Sequence, residues 1–170
     1  HRARFGEAGA GSARQRRLPV ILKRIGASTR LYKADDISGA GAARFPGRWN
    51  SSGEFVLYAA PSLAMAVLET AAHVDDRGLP QNRYVVDIEI DDAVWRRRES
   101  WPAATLPVGW DAIPAGMDSI ELGSAWYREG RSALLEVPSV IAPEETIVVI
   151  NCRHPDAVRL SARKRRRFEY

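Results

Sequence analysis

The chain has 170 residues, 45% of them hydrophobic and 27% charged, a balance that fits one globular core and excludes a disordered tail. Its apolar run Phe55–Val74 is broken by Pro61 and Glu69, whereas a membrane helix needs roughly 20 apolar residues in succession. The formal net charge of +4 comes from the two ends, because the segment between them keeps 14 basic and 19 acidic residues, a net of −5.

Residues 1–17 hold Arg2, Arg4, Arg14, Arg16 and Arg17 against Glu7, with no apolar periodicity. They read as a basic extension outside the core, and nothing resembling a secretory leader opens the chain, which points to the cytoplasm. The domain starts near Leu18 with the run Leu18–Leu22, followed by a short strand over Arg30–Lys33 and a Gly/Ala-rich loop from Asp35 to Asn50. Glu54–Ala59 reads as a buried strand. Pro61 suits the first turn of a helix running to about His73, with Leu63, Val67, Thr70 and Val74 as its buried stripe.

Tyr84–Ile90 alternates, placing Tyr84, Val86, Ile88 and Ile90 on one face and Asp87 and Glu89 on the other. Residues 91–118 carry Trp95, Trp101 and Trp110 among prolines and read as a long connection with one short helix. Ser132–Val137 and Thr146–Ile150 are further strands. Arg159, Arg163, Lys164, Arg165, Arg166 and Arg167 make residues 159–170 a basic C-terminal tail. Strands scattered around one or two helices predict a single α+β domain over residues 18–158.

Glu69 is the only charge between Phe55 and Val74. Burying a lone carboxylate is costly, and the helical angles place Glu69 off the stripe, beside Met65 and His73. Two readings stand: an exposed glutamate on a helix flank, or a carboxylate facing a cleft where it stabilises positive charge or takes a proton. In Phe45-Pro46-Gly47-Arg48-Trp49-Asn50, a glycine allows a tight turn before a guanidinium whose planar fork matches pyrophosphate. The plainer alternative is a surface turn with an Arg48/Trp49 cation–π neighbourhood. Tyr58 ends the strand leading to the Glu69 helix, and Ser139 follows a strand. A core tyrosine and a turn serine are the plain readings of those two.

Other patterns carry less. Gly39-Ala40-Gly41 lacks the third glycine of a dinucleotide fingerprint and precedes no clear helix. His73, His154 and Cys152 have no metal-ligand spacing, so no metal is expected. No strand–turn–helix nucleophile elbow is present. The basic ends leave open a non-enzymatic nucleic-acid-binding module, which would show strong salt dependence.

Read in order, the motifs resemble the RES domain, a family named for an arginine, a glutamate and a serine. The resemblance rests on Tyr32-Lys33, Ser38-Gly39-Ala40-Gly41-Ala42, Gly47-Arg48-Trp49-Asn50-Ser51-Ser52-Gly53 and Val56-Leu57-Tyr58. It continues through Leu68-Glu69 with His73, Leu122-Gly123-Ser124-Ala125-Trp126, Val137-Pro138-Ser139, and Asn151 with His154-Pro155. Two positions depart from the family pattern: Lys33 stands where arginine is usual, and Cys152 replaces the proline after Asn151. The lysine is similar to that of the ParT-type toxins.

The resemblance implies a core similar to ADP-ribosyltransferases and the toxin of a bacterial type II toxin–antitoxin pair. NAD+ is then the substrate, and a cellular protein accepts the ADP-ribose. An Xre-like antitoxin is the expected protein partner, with DNA reached only through it. It assigns Glu69 and Arg48 to catalysis, and Lys33, Arg48, Tyr58, Ser139, Tyr32 and Asn50 to NAD+ binding. Tyr58 would stack on the nicotinamide or ribose, and Ser139 would hydrogen-bond the nucleotide. An NAD+ glycohydrolase or phosphorylase is the alternative within the same chemistry.

Overall fold

A computed structural model describes residues 17–73 and 82–169; the expectations for residues 1–16 and for Val74 lie outside that set. Two antiparallel-dominated sheets form the domain. The first has the order β1 (Val20–Ala27), β3 (Arg83–Ile90), β7 (Leu160–Arg167). The second has the order β2 (Val56–Ala59), β6 (Thr146–Asn151), β5 (Leu134–Pro138), β4 (Glu99–Ser100), with β4 and β5 parallel. Helices α1 (Ala40–Arg44), α2 (Leu63–Ala71), α3 (Asp92–Arg96) and α4 (Met117–Glu129) connect them. The α+β expectation holds.

Alternation builds the first sheet. Leu22, Val86, Ile88, Ile90 and Leu160 face Leu57, Ala59, Leu134, Val148 and Ile150 of the second sheet, giving one apolar layer between them. Val85 is also buried, because the outer face at its end, with Ile25, is covered by Met65 and Ala66 of α2. A second layer lies on the far side of the second sheet, where Trp49 and Trp126, both fully buried, meet Val56, Leu135, Val137 and Val149. Burying an aromatic side chain of this size contributes about 4–6 kcal/mol as an upper bound. Reciprocal backbone hydrogen bonds between Lys23 and Ala60 join the two sheets at the root of α2.

Several sequence expectations are corrected. Arg30–Lys33 is not a strand: the Thr29 hydroxyl accepts from the amides of Leu31 and Tyr32, turning the chain. The Gly39-Ala40-Gly41 segment does open a helix, the five-residue α1. The 91–118 connection holds α3, β4 and a 3-10 turn at Ala103–Thr105 before α4 begins. The stripe on α2 is rotated from the expected one, since its buried residues are Met65 and Ala66. Finally, the basic run after 158 is strand β7, paired to β3 over its whole length and therefore part of the domain rather than a tail.

Candidate active site

Helix α2 starts cleanly because the Ser62 hydroxyl accepts the Met65 amide proton at 3.1 Å. Glu69 follows Met65 by four residues and Ala66 by three, so it sits on the buried face of the helix, one turn beyond those two. Its place beside Met65 is the expected one; the difference is that this side of α2, and not the Leu63/Val67/Thr70 stripe, holds the buried residues of the helix. One oxygen of the carboxylate is partnered there: the Ser139 hydroxyl donates to Glu69 Oε1 at 2.5 Å.

Ser139 is fully buried in the turn between β5 and β6. Its oxygen also accepts from the amides of Ile141 at 3.1 Å and Ala142 at 3.2 Å. A hydroxyl has one proton and two lone pairs, and all three are used. In this structure those contacts tie Ser139 to Glu69 and to its own turn, whereas the resemblance implies a contact to the nucleotide.

Arg48 lies half-buried on the turn after α1. Its Nη1 donates to the carbonyls of Trp110 at 2.9 Å and Ala112 at 2.7 Å. Partial burial lowers its pKa, opposed by the negative fields of Asp111 and Glu69. The Glu69 carboxylate is thus one of the charges that act on the Arg48 guanidinium. The Nε and Nη2 protons of Arg48 have no partner among the described residues, leaving donors for an anionic ligand. Trp49 is not a partner for the arginine: it is buried and stacks on Trp110, with ring centroids 6.2 Å apart.

The turn carrying Arg48 is held from below. Tyr58 donates its hydroxyl proton to Asn50 Oδ1 at 2.7 Å and accepts the Trp49 amide proton at 3.0 Å. Burial pushes the phenol pKa well up, so it stays a neutral donor. Asn50 Oδ1 also accepts from the Gly47 amide, and its Nδ2 donates to the Ala42 and Ser51 carbonyls. Fully buried and fully bonded, Asn50 shapes the turn and does not reach solvent. Gly47 is required because a Cβ there would stand 2.7 Å from the Tyr58 ring.

Three further residues fix this turn and were not singled out for it from the sequence. Buried Glu54 accepts the Ser51 amide proton at 2.7 Å and the Ser124 hydroxyl at 2.8 Å. Gly123 of α4 lies so close that a Cβ would fall 1.9 Å from the Trp49 carbonyl oxygen. Serine and glycine on a helix give no apolar signal, which hid their position. Arg24 of β1 is the third. Its guanidinium donates to the Tyr58 carbonyl at 2.8 Å and is desolvated, within the fields of Tyr32 and Asp36. The sequence clue was a cation two residues after Leu22, on the same strand face.

Tyr32 and Lys33 are apart from this group. With Leu31, Asp35, Asp36 and Ser38 they line an open cavity of about 260 Å³, and no hydrogen bond joins them to Arg48, Glu69 or Ser139 among the described residues. Tyr32 rests against Gly41 of α1. Among the described residues no cluster of three or more His, Cys, Asp or Glu suits a metal ion, and no helix is long and apolar enough to cross a membrane.

The RES domain profile matches residues 21–170. The chain belongs to the RES family. A Sphingobium protein named "Prs ADP-ribosylating toxin" is 53% identical over 147 residues, 86% of this chain and 91% of the relative. A Pseudomonas putida protein named "Toxin Res" is 37% identical over 140 residues, 81% and 88% of the two chains. A Yersinia enterocolitica "Toxin Res" is 32% identical over 127 residues, 74% and 80%. Of the residues that the resemblance singles out, the structure joins Glu69 and Ser139 by a hydrogen bond and puts Arg48 within the field of Glu69.

Proposed function

We propose that this RES protein is a toxin that cleaves the nicotinamide–ribose bond of NAD+ and transfers ADP-ribose to a protein. The observation that carries the reading is the partly buried Glu69 carboxylate of α2, which accepts a hydrogen bond from Ser139 and acts on the charge of Arg48. The similarity to a relative named for ADP-ribosylation supports it.

The chemistry fits those groups. As the C–N bond breaks, its electron pair leaves with neutral nicotinamide and the ribose gains oxocarbenium character. A fixed carboxylate stabilises that developing positive charge. The acceptor nucleophile then bonds to the ribose carbon and gives up its proton, with Glu69 as the base. Arg48 uses its spare donors on the pyrophosphate, and the cavity at Tyr32 and Lys33 takes another part of the dinucleotide. Tyr58 and Asn50 act by holding the Arg48 turn. The acceptor class follows the name of the Sphingobium relative, a Prs protein. An Xre-like antitoxin restrains the toxin in the cytoplasm.

Nicotinamide release and protein labelling test this directly. Glu69→Gln keeps an oxygen for the Ser139 proton but removes the charge. It should lower kcat about 100-fold or more while NAD+ affinity changes little. Unchanged turnover would refute the assignment. Release of nicotinamide with no mass adduct on Prs or any extract protein would favour glycohydrolysis instead.

A further inference from the structure

The loop that accepts the Arg48 hydrogen bonds also carries an unusual surface. Val108 is 99% exposed, Ile113 83% and Met117 65%. They flank Trp110 and Ala112, whose carbonyls bind the arginine. Their exposure is not looseness, since Trp110 is itself buried against Trp49. A rigid loop that displays several large apolar side chains beside a catalytic group marks an interaction surface. Its charge has one sign: Asp111, Asp118 and Glu121 are exposed, and no lysine or arginine occurs between Arg98 and Arg128. Glu121 follows Met117 by four residues on α4, so the two share a helix face.

We propose that the segment from Val108 to Glu121 is the docking surface for the acceptor protein, which offers an apolar patch edged by lysine or arginine. The inference rests on the transferase reading, because a protein acceptor must lie against the site mouth while its nucleophile reaches the ribose. The loop fixes one side of that mouth through Arg48. Apolar contact supplies affinity at the centre, and the acidic groups select a basic rim.

Two variants of the full chain test it, Val108→Ser/Ile113→Ser and Glu121→Lys. Nicotinamide release is measured without acceptor, and transfer of labelled ADP-ribose is measured to the bands that the unaltered chain labels in a bacterial extract. The expected result is acceptor-free release within about twofold of the unaltered chain, with labelling reduced about tenfold or more in the double variant and less in Glu121→Lys. Unchanged labelling in both variants overturns the proposal and leaves the patch to an inhibitory partner. Equal loss of release and labelling also overturns it, since the loop then serves NAD+ itself. A change in sedimentation with labelling intact assigns the patch to a second copy and overturns it too. If the unaltered chain releases nicotinamide but labels no protein, the transferase reading fails and this inference with it.

Discussion

A serine hydroxyl has one proton to give, and Ser139 gives it to Glu69. Hydrogen bonds to a charged group are worth about 1.5–3 kcal/mol, so Ser139→Ala should lower kcat roughly 10–100-fold. A positioning role leaves the KM for NAD+ nearly unchanged; a rise in KM at constant kcat would instead mean direct contact with the nucleotide. Steady-state kinetics of nicotinamide release separates the two. Sequence reasoning reached both residues but misjudged their surroundings. The stripe Leu63, Val67 and Thr70 sets Glu69 to one side, next to Met65, but that side is the one that holds the buried residues of the helix. The true contact face includes Ala66, whose small side chain contributes little to any hydrophobic pattern. Asn50 was misread for a related reason. An asparagine after arginine and tryptophan looks like a ligand contact, and only coordinates show its four hydrogen bonds already made within the turn.

At the level of elements, α4 controls the Arg48 turn by contact. Gly123→Ala would put a methyl group into the Trp49 carbonyl, and the helix and turn must separate to admit it. Overpacking of this kind costs about 1–3 kcal/mol, corresponding to a Tm lower by roughly 3–10 °C. Because the displaced segment carries Arg48, NAD+ cleavage should fall further than stability at a temperature where the variant is still folded. Thermal melting paired with a nicotinamide assay at 25 °C checks both; a melting shift with full activity would detach α4 from the site. This helix was illegible in the sequence. Its buried positions are Ser119, Gly123, Ser124 and Trp126, and three of these are too small or too polar to register as an apolar face. By contrast β3, β5 and β6 are legible within about two residues, from the alternation of β3, the β-branched run of β6 and the short apolar stretch that ends at Pro138 in β5. For β1 the sequence offers only the apolar run Leu18–Leu22 and no strand, because Lys23 and Arg24 end that run although Arg24 folds inward to the Tyr58 carbonyl.

For the whole molecule, the charge distribution invited the largest error. The cations after residue 158 looked like a solvated tail because charge runs usually are. Yet Leu160 and Ala162 alternate with them and pack against the core layer, while Lys164 covers the Tyr84 ring at 4.7 Å. A chain ending at Val158 should therefore lose more than about 10 °C in Tm, or lose its cooperative transition altogether, when followed by circular dichroism; an unchanged melting curve would restore the tail. Among the described residues, β7 has a strand neighbour in the three-stranded sheet on one side only. A second molecule approaching that open side to extend the ladder would bring its own row of arginines to about 4.8 Å from this one. The β7 edge is thus guarded against pairing with its own copy by repulsion.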